Sequence, residues 1–156
     1  MAQTTFNSNI PEGIHGALAA VGGISDNITV LNGATAIPSG SVVTYDATGK
    51  LALGGAANAP KAGIALGNRS NQLTTGTDTY AAGSQVSVMK KGRIFVTLPA
   101  GNTAATVGGD VLYTVATGVI TATASTSGAA TTTPLTNATF ETAGSAGDLV
   151  VVRLDN

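Results

Sequence analysis

The sequence predicts an all-β protein: a small antiparallel β-sandwich or barrel, β-tulip or jelly-roll-like, with an extended N-terminal arm. Three observations point there. Apolar residues alternate with a period of two in short runs, which places them on one face of a sheet. Clusters of Gly, Asn, Asp and Ser separate these runs at near-regular spacing, as sandwiches and barrels require. Gly, Ala, Thr, Ser and Val dominate, and only 10% of residues are charged and 4% aromatic. An average protein has about 25% charged residues. Thr and Val favour strands, and with so few aromatics the core has to be built from Val, Ile, Leu and Ala. The 156 residues fit one domain, which at this size buries roughly 70% of its unfolded surface.

Residues 1–35 read as the arm and residues 36–156 as the strand-built domain. Phe6, Ile10, Ile14, Leu18 and Val21 recur at roughly helical intervals, and Asn9-Ile10-Pro11-Glu12 resembles a helix start. Gly13 and Gly16 oppose a helix, each costing about 1 kcal/mol in its interior. The expectation is an extended arm with a helical turn or two, its apolar residues covered by something. Ile28-Thr29-Val30-Leu31 is the first strand signal, closed by Asn32-Gly33. Val42 to Tyr45 and Lys50 to Leu53 flank Asp46-Ala47-Thr48-Gly49, a type I turn signature, and so predict a hairpin. Lys61 to Leu66 form a short strand after Pro60, and residues 67–79 a polar loop.

Residues 85–98 hold two apolar alternations, Val86/Val88 and Ile94/Val96/Leu98. They read as a central β-hairpin that turns at Lys91-Gly92, where glycine tolerates φ > 0. After a loop at 99–108, residues 109–123 read as a second hairpin that echoes the first at an offset of 69. Gly40-x-Val42-Val43 matches Gly109-x-Val111-Leu112, and Ala47-Thr48-Gly49 matches Ala116-Thr117-Gly118. Residues 62–65 echo 137–140, and 82–88 echo 146–152. The chain therefore reads as two halves repeating hairpin, short strand and G-x-x-V strand. The low-complexity stretch 124–134 predicts an exposed loop, and Leu149 to Leu154 a buried closing strand.

Composition excludes several function classes. A net charge of −1 leaves no basic stripe for phosphates, so no nucleic acid is expected as a partner. No cysteine is present, which removes disulfides and thiolate metal sites and fits a reducing cytosol. The first residues carry neither a basic n-region nor a long apolar run, so no signal peptide is expected. The glycine-broken stretch 14–24 falls far below the ~20 residues that span a bilayer, so no membrane is expected either.

No constellation equipped for chemistry emerges. His15 is the single histidine, with Glu12 as its only near acid, and reads as a polar arm residue. Asp46, Asp78, Asp110 and Asp148 lie beside predicted turns, where Asp bonds nearby backbone N–H groups. No D-x-D-x-D run offers calcium its ligands. No G-x-S-x-G elbow exists, and neither Gly22-Gly23 nor Gly54-Gly55 is followed by the Lys-Ser/Thr of a phosphate loop. The glycosylation patterns at Asn27, Asn68 and Asn137 carry no weight without a secretory signal. Lys90, Lys91 and Arg93 form the one basic cluster, readable as a solvated hairpin tip or as polar contacts for a partner. The expectation is no catalytic residue, no cofactor and no metal site, hence no enzyme.

The order of these pieces resembles the tailed-bacteriophage capsid cement proteins, also called head-decoration proteins. Lys61-Ala62-Gly63-Ile64-Ala65-Leu66, a loop, and then Val86-Ser87-Val88-Met89-Lys90-Lys91-Gly92-Arg93-Ile94-Phe95-Val96 are similar to their strand, loop and "K-x-G-x-[FI]" segment. Residues 81–86 resemble their "G-x-x-V" entry, residues 108–113 their "aGd-x-vy" strand, and residues 138–154 their closing segment. The likeness covers roughly residues 37–156. It implies a virion structural protein, made in the host cytoplasm and placed on the outer capsid surface. Such a protein binds the major capsid protein of the expanded shell and bridges its subunits. It acts with itself as a homo-oligomer, often a trimer and sometimes a dimer. Arms commonly reach onto the shell, so Phe6, Ile10, Ile14 and Leu18, with Lys90, Lys91 and Arg93, are the expected capsid contacts. The other reading is a carbohydrate- or receptor-binding β-sandwich of a phage fibre or surface layer. It ranks second because exposed aromatic platforms are scarce.

Overall fold

The computed structural model describes residues 15–19, 25–67, 78–128 and 131–155. Within them the chain is all-β, with no α-helix. The strands in order are β1 (Asp26–Leu31), β2 (Ile37–Pro38), β3 (Val42–Tyr45), β4 (Leu51–Leu53), β5 (Lys61–Ala65) and β6 (Thr79–Tyr80). Then come β7 (Gln85–Thr97), β8 (Asp110–Thr114), β9 (Ile120–Thr121), β10 (Thr132–Phe140) and β11 (Leu149–Leu154). Nine of them form one antiparallel, strongly curled sheet in the order β4-β3-β5-β7-β11-β10-β8-β9, with β1 added on β7; β2 and β6 pair separately. β1 lies inside the first 35 residues, so that part of the stretch belongs to the sheet.

The first hairpin forms as expected from Asp46 and Gly49: β3 pairs β4 with Tyr45 opposite Leu51, and Gly49 sits at φ +79°. The central hairpin does not form. β7 is one strand of 13 residues running straight through Lys91-Gly92. Its first part pairs β1 and β5, and its second part pairs β11. Gly92 does have a positive φ, +132°, but it makes a kink rather than a turn. A Cβ there would lie 3.1 Å from the Cβ of Ser25 and 3.3 Å from the sulfur of Met89. The stretch 124–134 also departs from its expected loop character, because residues 132–134 already belong to β10 and pair β8.

The two-halves pattern holds along the described fold, with one module ending and the next beginning inside β7. In the first module Ile28 lies opposite Val88 and Val30 opposite Val86. In the second Ile94 lies opposite Val152 and Val96 opposite Val150. Ile64↔Met89 and Ala65↔Val88 correspond to Thr139↔Arg153 and Phe140↔Val152. The Gly40 N–H donates to the Ala65 carbonyl and the Ala65 N–H to that of Ser41; the Gly108 N–H donates to Phe140 and the Phe140 N–H to Gly109 in the same way. Even the small β2–β6 pair, Ile37 opposite Tyr80, has its counterpart in the bridge between Ala105 and Gly144.

The structure corrects the sequence alignment of the hairpins by one residue. Gly40 corresponds to Gly108, not Gly109, while Gly49 still corresponds to Gly118, all four having positive φ. The second turn is longer by a single residue.

Each module has its own buried cluster. One gathers Ile37, Val43, Leu51, Ala62, Ala65, Tyr80, Val86 and Val88, with Ile28 and Val30 packed on it. The other, larger, includes Tyr113, Ile120, Leu135, Phe140, Val150 and Val152. It also takes Val42, Ile64 and Met89 from the first module. The curl brings the far ends of the sheet together. Val42 donates its N–H to the Gly118 carbonyl at 2.8 Å and Gly55 donates to Val115 at 2.8 Å. The Tyr113 hydroxyl reaches the Gly55 carbonyl at 2.9 Å. This approach demands glycine: a Cβ on Gly54 would sit 2.2 Å from the Val115 oxygen.

Candidate shell-facing surface

The expected contact residues fall in two places. Phe6, Ile10 and Ile14 lie outside the described residues. Leu18 stands on a short extended segment, residues 16–19, that runs antiparallel along β7 and bridges to Ile94. Three backbone bonds hold it: Gly16 N–H to Phe95 at 2.7 Å, Phe95 N–H to Ala17 at 2.9 Å and Ala19 N–H to Arg93 at 2.9 Å. Ala19 is buried and Leu18 is 39% exposed. Gly16 takes φ +77°, outside the right-handed helical region, and a Cβ there would lie 2.8 Å from that of Ser39.

His15 is the pin of this segment. The Thr97 N–H donates to its Nδ1 at 2.9 Å, so Nδ1 carries a lone pair. The ring is therefore the Nε2–H tautomer, and Nε2 donates to the Ser39 carbonyl at 2.8 Å. The ring lies over Gly40, where a Cβ would come within 2.4 Å of it. His15 thus ties the arm to β7 and to the loop before β3, a role hidden in the sequence because both partners lie far along the chain.

Lys90, Lys91 and Arg93 lie together on β7 at its kink, not on a hairpin tip. Lys91 is exposed and pairs across from Asp26 on β1, while Lys90 and Arg93 are half-buried. Arg93 donates through Nε to Glu141 at 2.5 Å. The hydrogen bond it gives to Glu141, and then the charge of that carboxylate, push the Arg93 guanidinium further up from its already high range. Glu141 also meets Arg153 at 3.6 Å, and Arg153 meets Asp155 at 2.8 Å. These partly exposed pairs add little stability each, but together they fix a cluster of charge on a chain in which only 10% of residues are charged. The sequence marked Lys90, Lys91 and Arg93; Glu141, Arg153 and Asp155 were missed because only strand pairing brings them there.

Among the described residues no group of three His, Cys, Asp or Glu is placed to hold a metal ion. Tyr80, Tyr113 and Phe140 are buried, and Tyr45 and Phe95 are half-buried. No described aromatic ring therefore stands free as a platform for a sugar.

Comparison with known proteins places these features. The sequence profile of a family described as "Structural cement protein (E217 gp24/Pam3 gp6)" matches residues 2–155. No protein of curated function matches. The fold is similar to a chain in the solved structure "The capsid of Myoviridae Phage XM1", with a TM-score of 0.71 and 18% identity over 99% of each chain. At that identity the likeness shows the shared fold.

Proposed function

This chain belongs to the phage structural cement protein family, and on that premise we propose that it clamps the outer surface of an expanded phage head by bridging subunits of the major capsid protein. Membership of the family makes the protein a capsid-associated component of the virion with a structural, non-enzymatic task. The family match over nearly the whole chain is the observation that carries the reading.

The geometry supports it. Two modules share one strand, and residues 15–19 are pinned along it, from His15 at Thr97 to Ala19 at Arg93 in the charged patch with Lys90 and Lys91. Residues 1–14, with Phe6, Ile10 and Ile14, are the proposed reach onto the shell, and Leu18 with the patch the proposed contacts of the body. Acting as a homo-oligomer, trimer or dimer, the protein makes several weak contacts at once. Each raises the effective concentration of the next. Neither nucleic acid nor membrane takes part.

The test is attachment of labelled protein to heads stripped of it. Full-length protein is expected to bind and to raise the temperature at which heads rupture. A chain lacking residues 1–14, which keeps His15 and the segment behind it, is expected to bind on the order of tenfold or more weakly. Reversing Lys90 and Lys91 to Glu is expected to weaken binding and its salt dependence. Full-length protein that ignores the heads overturns the function, and undiminished binding by the shortened chain overturns the role of the arm.

A further inference from the structure

The duplication makes a comparison between two sheet edges. In the second module the first strand is the later part of β7, and its outward backbone groups are those of Arg93, Phe95 and Thr97. All three are used: Arg93 and Phe95 by residues 16–19, and Thr97 by His15. The matching strand of the first module is β1, where Ile28 and Val30 take the places of Ile94 and Val96. Asn32 donates its N–H to Ser84 on the β7 side. Residues alternate along a strand, so Val30 and Ile28 also bond toward β7, and Asn27, Thr29 and Leu31 point their backbone groups outward. Among the described residues nothing pairs with that outward edge.

The other ends of the sheet are sealed. β4 is covered by Asn32 and Gly33, the latter donating to the Leu51 carbonyl at 3.0 Å. Beyond β9, the Asn102 Oδ1 accepts from the N–H groups of Ala122 and Thr123 and from the Thr123 hydroxyl, and also from that of Thr121. β1 by contrast is an open edge with no Pro, no Lys and a single charge at its first residue. Asn27, Thr29 and Leu31 are all exposed, Leu31 at 45%. Such an edge is a template for another strand.

We propose that β1 pairs with β1 of a second copy of this chain, antiparallel and centred on Thr29, joining two sheets across a two-fold axis. The strand is complementary to itself. With Thr29 opposite Thr29, each donates its N–H to the other's carbonyl, and Asn27 and Leu31 exchange bonds across the axis in the same manner. The side-chain pairs are then Thr with Thr, Ile28 with Val30, and Asn27 with Leu31, each favourable or neutral across antiparallel strands. Asp26 comes opposite position 32, a buried and neutral Asn, so no like charges face each other. The contact is isologous and closes at two copies. It does not depend on the proposed attachment to a shell.

The experiment is native mass spectrometry and sedimentation of the full chain and of two variants. Thr29→Pro removes only the outward N–H, the position at which an edge strand tolerates proline. The wild-type chain is expected to run as a dimer at micromolar concentration. Thr29→Pro is expected to keep its far-ultraviolet spectrum and to dissociate, its dimer constant weakened on the order of tenfold or more. Thr29→Cys, in a chain that lacks cysteine, is expected to give a covalent dimer under mild oxidation, whereas Thr48→Cys in the exposed first turn is not. The cysteine pair keeps the proposal testable even if the proline variant fails to fold. A monomeric wild-type chain, a Thr29→Pro distribution identical to wild type, or equal cross-linking of the two cysteine variants overturns it. Loss of attachment to heads by Thr29→Pro with no change in oligomeric state assigns the edge to a shell strand instead, and also overturns it.

Discussion

Beside the closing strand of the first module stands Ala65, facing Val88; at the same place in the second stands Phe140, facing Val152. The modules share a ladder register and differ in what fills it. Their bulges differ too. Between the paired residues of β5, Gly63 sits at φ +139°, with the Met89 oxygen 2.1 Å from where a Cβ would be; in β10 the left-handed residue is Asn137, at φ +60° and exposed. Backbone pairing is therefore what makes the two modules alike, while side chains and turn residues have diverged around it. The first module lends Val42, Ile64 and Met89 to its neighbour's core and, among the described residues, leaves the outer edge of β1 unpaired.

Four tests break or sharpen this contrast. The largest effect is expected from Phe140→Ala, about 3–5 kcal/mol for a large side chain fully buried in the second core. Because β7 runs through both modules, urea unfolding followed by tyrosine fluorescence and by circular dichroism should lose both in one transition. Two separated transitions would mean that the modules are independent. Next, Gly63→Asn should cost about 3 kcal/mol, since a side chain there meets backbone as well as strain. Asn137→Gly should change stability by no more than about 0.5 kcal/mol, as the residue is exposed and its conformation suits either.

Third, Tyr113→Phe removes the hydroxyl bond to Gly55 that links the two ends of the sheet, an expected loss of about 1–2 kcal/mol. Its counterpart Tyr45 is half-buried, and Tyr45→Phe should be nearly neutral in the same denaturant titration. The smallest effect concerns pH. Asp46 accepts from the Thr48 hydroxyl and from the N–H groups of Thr48 and Lys50, and the Thr48 hydroxyl most strongly holds its carboxyl below the usual carboxylate range. A depressed folded value means stability that is present above the unfolded value and is lost as pH falls through the folded one. Asp46→Asn should therefore lower the melting temperature slightly at neutral pH, and the difference from wild type should vanish in acid. Thr114, in the equivalent place, has no charge to titrate.

Much of this fold was legible in the residues. Asp46 with Gly49, and Gly118 in the second turn, marked hairpins because those turns need specific backbone angles. The repeat was visible because both modules place glycine where φ is positive. The continuous β7 was not legible, since Lys91-Gly92 carries the chemistry of a tight turn and a kinked strand uses the same positive φ. A signal was present nonetheless: Val86, Val88, Ile94, Val96 and Leu98 all share one parity across the glycine. The match of Ile28-Thr29-Val30 to Ile94-Phe95-Val96 was a second, and it would have taken the repeat back to β1. For the candidate surface, the Lys90, Lys91 and Arg93 cluster could be read directly. The seat of His15 and the meeting of Arg93 with Glu141 could not, because both join residues far apart in the chain through pairing alone.

The unbroken β7 has a mechanical meaning. A molecule of two modules joined by a linker bends at the linker when it is pulled. Here the junction is a covalent strand flanked on both edges, so tension entering at residues 16–19 loads several interstrand bonds in shear together rather than opening them in turn. The segment from which the arm is proposed to reach the shell is thus held on the one strand that both modules share.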